Sequence, residues 1–181
     1  MTAGKLHFIA SGDIHKRLAV ALINDALPGH HLFEVTKDEA DAMRVLVDIP
    51  AGFAVRELQK APRADARRCV VITPNGSAIY RDALRSFGLL AVITLDDPLP
   101  TVAFKLSEAL TGRRTHEQYE VLSVSETRVV RLLLCGLAGS EIAGALGVTV
   151  KTVNAHVSNL LTRVGFTDRA ALVAKVLGGV A

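Results

Sequence analysis

The sequence predicts an α/β domain followed by an all-α domain: a doubly wound, five-stranded parallel sheet, then four helices that contain a helix-turn-helix. Three observations carry this. Short β-branched runs alternate with helix-period segments through residues 1–110, a pattern that calls for crossover connections and a parallel sheet. The alternation stops at the polar stretch Thr111–Glu120. Every periodic segment after it has helical spacing.

The elements follow in order. Leu6–Ser11 is a short apolar run that ends in Ser-Gly, a strand and its turn. Ile14–Leu27 repeats apolar residues at the helical period and stops at Pro28-Gly29. His30–Val35 is strand-like. Thr36 and Glu39 have capping-box spacing and open a short helix. Arg44–Ile49 is the third strand and Ala54–Ala61 a helix, with a polar loop after it. Cys69–Thr73 is a continuous β-branched run, as a strand buried on both faces should be. Pro74-Asn75-Gly76-Ser77 turns the chain into a helix over Ala78–Gly88. Leu89–Thr94 is the fifth strand and Thr101–Leu110 the fifth helix. These assignments divide the chain into a domain over 1–110, a linker over 111–120 and a helical domain over 121–181.

Composition narrows the function classes. No apolar run reaches the ~18 residues a membrane helix needs, so a cytoplasmic protein without membrane contact is expected. The short apolar run at the N-terminus reads as a first strand rather than a secretory signal. Cys69 and Cys135 lie in apolar contexts and read as buried, reduced thiols. No CxxC or HExxH spacing occurs, so neither a metal nor a cofactor is expected. Residues 1–110 carry 13 Lys/Arg and 13 Asp/Glu, residues 111–181 carry 8 and 5, so the net charge of +3 falls entirely on the second part. That permits a polyanion partner.

The C-terminal stretch is the most informative. Ser125–Gly136, Ser140–Gly147, Val150–Gly165 and Arg169–Leu177 are its four helices. Ile142, Ala143 and Leu146 face inward from the short second helix, Gly147 ends it, and Val148 plugs the turn. Thr149 is placed to cap the third helix. Val150, Val153, Val157, Leu160, Leu161 and Val164 form the buried stripe of that helix. Lys151, Thr152, Asn154, Ala155, Ser158, Asn159 and Thr162 form its outer face. Two helices joined by a tight turn, the second with small polar residues outward, suit a major groove. Asn can pair with adenine edges, Ser and Thr with several groups, and Ala can meet a thymine methyl.

Leu122–Val176 resembles the DNA-binding domain of LuxR/NarL-type transcriptional regulators. The resemblance rests on Leu122-Ser123, Glu126, Val129, Leu132, Gly136, Glu141-Ile142-Ala143, Leu146, Val148-Thr149, Lys151-Thr152-Val153, His156, Asn159-Leu160, Arg163, Gly165 and Arg169, in order and without a gap. It implies binding to double-stranded DNA as a homodimer. Asn154, Ala155 and Ser158 would be the main base-facing residues. Lys151, Thr152, His156 and Asn159 would lie around them or near the backbone, and Thr149 and Arg163 complete the DNA-binding set. The last helix would carry the dimer contact, with Leu172, Lys175 and Val176 as candidates. Ser125 replaces the family's usual arginine, and Ala138-Gly139 replaces the usual Ser/Thr cap.

Residues 5–110 resemble, by order and length, a response-regulator receiver domain with a flavodoxin-like fold. That resemblance puts the phosphoacceptor at Asp48 and the phosphoryl-contacting hydroxyl at Thr73. Two parts of the machinery are missing. Ser11-Gly12 stand where a pair of acids should hold Mg²⁺, with Asp13 one residue late. Leu95 stands where a lysine should neutralise the phosphoryl oxygens. The loop after Asp48 is also short, Ile49-Pro50-Ala51-Gly52. Without metal and lysine, phosphoryl transfer loses its main electrostatic support. The expectation is therefore a degenerate receiver, with the open sheet end (Ser11, Gly12, Thr73, Asn75, Thr94, Asp96) as the crevice for a protein or small-molecule ligand. Two alternatives stand beside it: phosphorylation at Asp48, and an interaction module that heterodimerises with a related regulator. An enzyme is not expected.

Overall fold

The computed structural model describes residues 4–28, 33–35, 42–115, 118–119 and 121–178. Five parallel strands, β1 (Gly4–Ala10), β2 (Phe33–Val35), β3 (Met43–Val47), β4 (Cys69–Thr73) and β5 (Ala91–Thr94), form one sheet in the order β2-β1-β3-β4-β5. That is the doubly wound, flavodoxin-type order. Four strands make up its body, and β2 is a three-residue edge paired to β1 from Gly4↔Phe33 to Leu6↔Val35.

Side chains alternate across the sheet and sort the core into two layers. Val45, Val47, Val70, Ile72 and Ile93 pack under α1 (Asp13–Ala26) and α5 (Leu99–Leu110) through Ala19, Ile23, Val102 and Leu106. Leu46, Val71 and Val92 face the opposite way, onto α2 (Phe53–Lys60) and α4 (Ala78–Arg85) through Val55, Leu58, Ala83 and Leu84. All five residues of β4 are buried, as expected of a central strand.

Two elements differ from the sequence reading. The polar loop after α2 contains a one-turn helix, α3 (Arg63–Ala66), and Arg44 of β3 pairs with its Asp65 at 2.8 Å. The Thr36–Glu39 capping box and its short helix lie outside the described residues. The expected linker is not a free spacer over its first residues. Thr115 donates its backbone N–H to the Leu90 carbonyl at 3.0 Å, just before β5.

The C-terminal helices are α6 (Val124–Leu134), α7 (Gly139–Leu146), α8 (Val150–Val164) and α9 (Arg169–Gly178). α6 begins earlier than its periodicity suggests because Ser123 and Glu126 form a capping box: Ser123 Oγ accepts from Glu126 N–H and Glu126 Oε2 accepts from Ser123 N–H. α7 has no side-chain cap, but Glu141 Oε2 accepts from Ala138 N–H at 2.7 Å. Gly147, in the left-handed region at φ 67°, ends α7 and turns the chain into α8.

The helical part rests on the α2/α4 side of the sheet. Val129, Leu132, Leu133, Ile142 and Val176 belong to the same buried cluster as Leu46, Val55 and Leu84. Asp82 of α4, fully buried, accepts from the backbone N–H groups of Val121 and Leu122 at 2.9 and 3.0 Å. The Arg131 guanidinium stacks 4.7 Å from the Phe87 ring centroid.

Candidate nucleic-acid interface and the closed acidic pocket

α7, the Gly147 turn and α8 build a helix-turn-helix. Thr149 caps α8 as expected, its Oγ1 accepting from Thr152 N–H at 3.1 Å and lying 2.9 Å from Thr152 Oγ1. Val153, Val157 and Leu160 are buried. Lys151, Asn154, Ala155, Ser158, Asn159 and Thr162 are exposed along one side, while Thr152 and His156 are half-buried at its border. No part of the N-terminal lobe is bonded to that side among the described contacts.

Two expectations about this region are corrected, and two of its residues have partners that the sequence did not show. Val148 and Val150 do not enter the core; they are exposed, one in the turn after α7 and the other at the first position of α8. Arg163 does not project freely from α8. It bonds Glu126 Oε2 at 2.7 Å and the Val121 carbonyl at 2.6 Å, tying the end of α8 to the start of α6. Burial alone would raise the Glu126 carboxyl, but bonds from Ser123 and the Arg163 charge outweigh it and hold that carboxyl below its usual range. Leu172 and Val176 do not lie on an open dimer face. They are buried, because α9 packs back on α4, α6 and α8, leaving Lys175 exposed. Asn154 is exposed yet not unpartnered: its Oδ1 accepts from Arg169 Nη2 at 2.5 Å.

Asp48 follows β3 directly, where the sequence put it, and its side chain is fully buried. Oδ1 accepts from Ala54 N–H at 2.8 Å, the first turn of α2. Oδ2 accepts from the Thr73 and Tyr80 hydroxyls, both at 2.8 Å. The Tyr80 oxygen in turn accepts from Gly52 N–H at 3.0 Å, and Thr73 Oγ1 from Asn75 N–H at 3.1 Å. Burial raises the Asp48 carboxyl above its usual range, against the opposing pull of Ala54, Tyr80 and Thr73. Burial, then the Asp48 charge, also pushes the Tyr80 phenol well up. Both carboxylate oxygens are thus occupied, and the short Ile49–Gly52 loop closes over them.

The other receiver positions do not converge on Asp48. Ser11 Oγ donates to the Ile49 carbonyl and lies 2.9 Å from His15 Nδ1. Gly12 caps α1 and Asp13 opens it, both exposed. Leu95 is 55% exposed rather than lining a pocket. The buried amine of Lys105 is bonded to the Val92 carbonyl at 3.0 Å and Asp97 at 2.9 Å. The residues expected to line a crevice at this end of the sheet divide, with Ser11, Gly12 and Asp96 exposed and the other three covered. Thr73, Asn75 and Thr94 are buried, and Asn75 Nδ2 donates to the Val176 carbonyl of α9. A cavity of about 340 Å³ lies instead beside β5, lined by Arg85, Leu90, Val92, Arg114, Thr115 and Tyr119 among others. No group of three or more His, Cys, Asp or Glu among the described residues could hold a metal ion. No described helix is long and apolar enough to cross a membrane.

Sequence reasoning missed Tyr80, Asp82 and the Arg169–Asn154 bond. Tyr80 carried one signal: its place on the inward face of a helix that follows the Thr73 strand.

Set against known proteins, this geometry has clear relatives. Residues 120–176 match the family of bacterial regulatory proteins, luxR family, and form a helix-turn-helix domain of that family. The response regulator protein VraR of Staphylococcus aureus is 36% identical over 74 residues, as is VraR of Staphylococcus epidermidis. The match covers 41% of this chain but only 34% of the length of those relatives. RcsB from Salmonella enterica serovar Typhimurium, bound to the promoter rprA in the presence of the phosphomimetic BeF3−, superposes with a TM-score of 0.55 at 16% identity, over 98% of this chain and 100% of that one. A structure of two RcsB dimers bound to two parallel DNAs gives 0.52 at 17% identity, over 97% and 99%. The fold is therefore a receiver-like α/β lobe followed by a LuxR-type helical lobe.

Proposed function

We propose that this chain is a sequence-specific, DNA-binding transcriptional regulator that works in the cytoplasm as a homodimer on DNA, and whose N-terminal lobe is not switched by aspartyl phosphorylation. The observation that carries the DNA reading is the uncovered side of α8 in a LuxR-family domain, with Lys151, Asn154, Ala155, Ser158 and Asn159 outward. Small polar side chains there can reach base edges, and the N-terminal end of α8 with Lys151 can face phosphate. What supports phosphorylation independence is the Asp48 cluster. An acceptor must offer a free oxygen to a phosphoryl donor beside a metal, whereas both Asp48 oxygens are bonded and Ser11-Gly12 replace the acid pair that would hold the metal. A protein or small-molecule signal would act on the N-terminal lobe, and the cavity beside β5 is where such a ligand would fit.

Selection of duplexes from a random pool, with and without Mg²⁺ and beryllofluoride, tests the proposal. A two-fold symmetric site, unchanged by the mimic and weakened by salt, is the expected result. Binding that appears only with the mimic would mean that Asp48 is phosphorylated. A second reading draws on the burial of Leu172 and Val176 and on Lys151 being the sole cation among the exposed outer-face residues of α8. In that reading the chain binds DNA through a heterodimer with a related regulator. Enrichment only when such a partner is added would favour it.

A further inference from the structure

Arg169 opens α9, and its guanidinium reaches across to α8, where Nη2 donates to Asn154 Oδ1 at 2.5 Å. A guanidinium has donors and no acceptor, so only the amide oxygen of Asn154 can face it. Gly139 makes the room. A Cβ at that position would lie 3.2 Å from Arg169 Nη1 and 3.9 Å from Asn154 Oδ1. The carbonyl end of Asn154 is therefore turned inward to the junction of α7 and α9, and its NH2 group leads outward.

An asparagine that reads adenine uses both ends at once: the amide donates to N7 and the carbonyl accepts from the N6 amino group. With the carbonyl turned to Arg169, Asn154 leads with its amide donors. Guanine presents two acceptors in the major groove, N7 and O6, whereas adenine sets its amino group against the Asn154 amide. We infer that Arg169 is a specificity-positioning residue, which orients Asn154 as a double donor so that this face reads guanine instead of adenine. The inference rests on the DNA-binding reading above.

The test is duplex selection with the full chain and its variants, each first shown to retain a folded melting profile. Asn154→Ala identifies the base pair that Asn154 reads, as the one position where preference disappears. The wild-type protein is expected to hold a G·C pair there, with about tenfold discrimination against A·T. Arg169→Ala frees the carbonyl and is expected to move the same position toward adenine, leaving the other positions unchanged. Should Arg169→Ala not fold, Arg169→Met serves instead. It keeps the apolar stem and removes every donor to Asn154, and a shift in the same direction is expected. An A·T pair at that position in the wild-type site overturns the inference. So does a preference unmoved in Arg169→Ala or Arg169→Met. If wild-type protein enriches no site at all, the DNA reading fails first and takes the inference with it.

Discussion

The Asn75 side-chain amide donates to the Val176 carbonyl at 2.6 Å, joining two residues 101 positions apart. Asn75 ends the path Asp48–Thr73–Asn75, so the bond connects the buried acid of the first lobe to the last helix of the second. Asn75→Ala removes it and leaves Ser77 N–H without its acceptor. The expected cost is about 1–2 kcal/mol, which thermal denaturation should register as a fall in Tm of roughly 2–8 °C. An unchanged Tm would show that the bond contributes nothing.

Asp48 should behave as a structural acid. Asp48→Ala leaves three buried donors unmet and should destabilise by about 3 kcal/mol or more. Asp48→Asn keeps an acceptor and, because hydroxyls rotate, should cost far less. The pH dependence has a defined sign. A folded carboxyl raised above its unfolded value of 3.8 binds its proton more readily when folded, so its stability contribution is fully present below 3.8 and lost as pH rises through the folded value. Urea unfolding at two pH values should therefore show wild type gaining on Asp48→Asn as pH falls toward 4. A constant difference would contradict this.

The two thiols should differ in reactivity. Burial pushes the Cys69 thiol up to about 12, and Cys69 Sγ also donates to the Asp65 carbonyl. Cys135, expected from its apolar context to be buried, is only half-buried at the end of α6, and burial raises its thiol as well. An alkylating reagent on native protein should modify Cys135 first and Cys69 only after unfolding. Cys69 also implies alkaline sensitivity, since its contribution to stability is lost as pH climbs from about 9 toward 12.

Arg163 should matter first for folding. Arg163→Met removes the ion pair to Glu126 and the bond to Val121. A partly exposed pair of this kind is worth about 1 kcal/mol, and unfolding at low and high salt should show the loss largest at low salt. The Glu126 carboxyl lies below its usual value, so its contribution is present above about pH 4.5 and lost as pH falls through the folded value.

What the sequence disclosed and what it hid divide along range. Local physics was readable: Thr149 as a cap, Gly147 as a stop, Cys69–Thr73 as a central strand and Asp48 at a strand end each depend on neighbours within a few positions. The errors concern distant partners. Leu172 and Val176 look the same in sequence whether they face a second copy or the lobe they cover here. Asn75 looks like a turn residue in Pro-Asn-Gly-Ser, because nothing nearby announces Val176. Arg163 reads as a DNA-binding cation, and nothing near it in sequence announces Glu126. Asn154 reads as a base-facing residue, and nothing near it in sequence announces the bond from Arg169.

The shared apolar cluster has a thermodynamic consequence. Leu46, Val55 and Leu84 share one buried cluster with Val129, Leu133 and Val176 of the second lobe. Cutting the chain near residue 115 would wet both halves of one core, and each half would lose burial worth about 25 cal/mol for every Å² of apolar surface exposed. The two lobes should then melt together, in a single calorimetric transition whose van't Hoff and measured enthalpies agree. Anything that parts them must supply the free energy of that whole seam at once, so the chain would respond as a threshold device instead of a graded one.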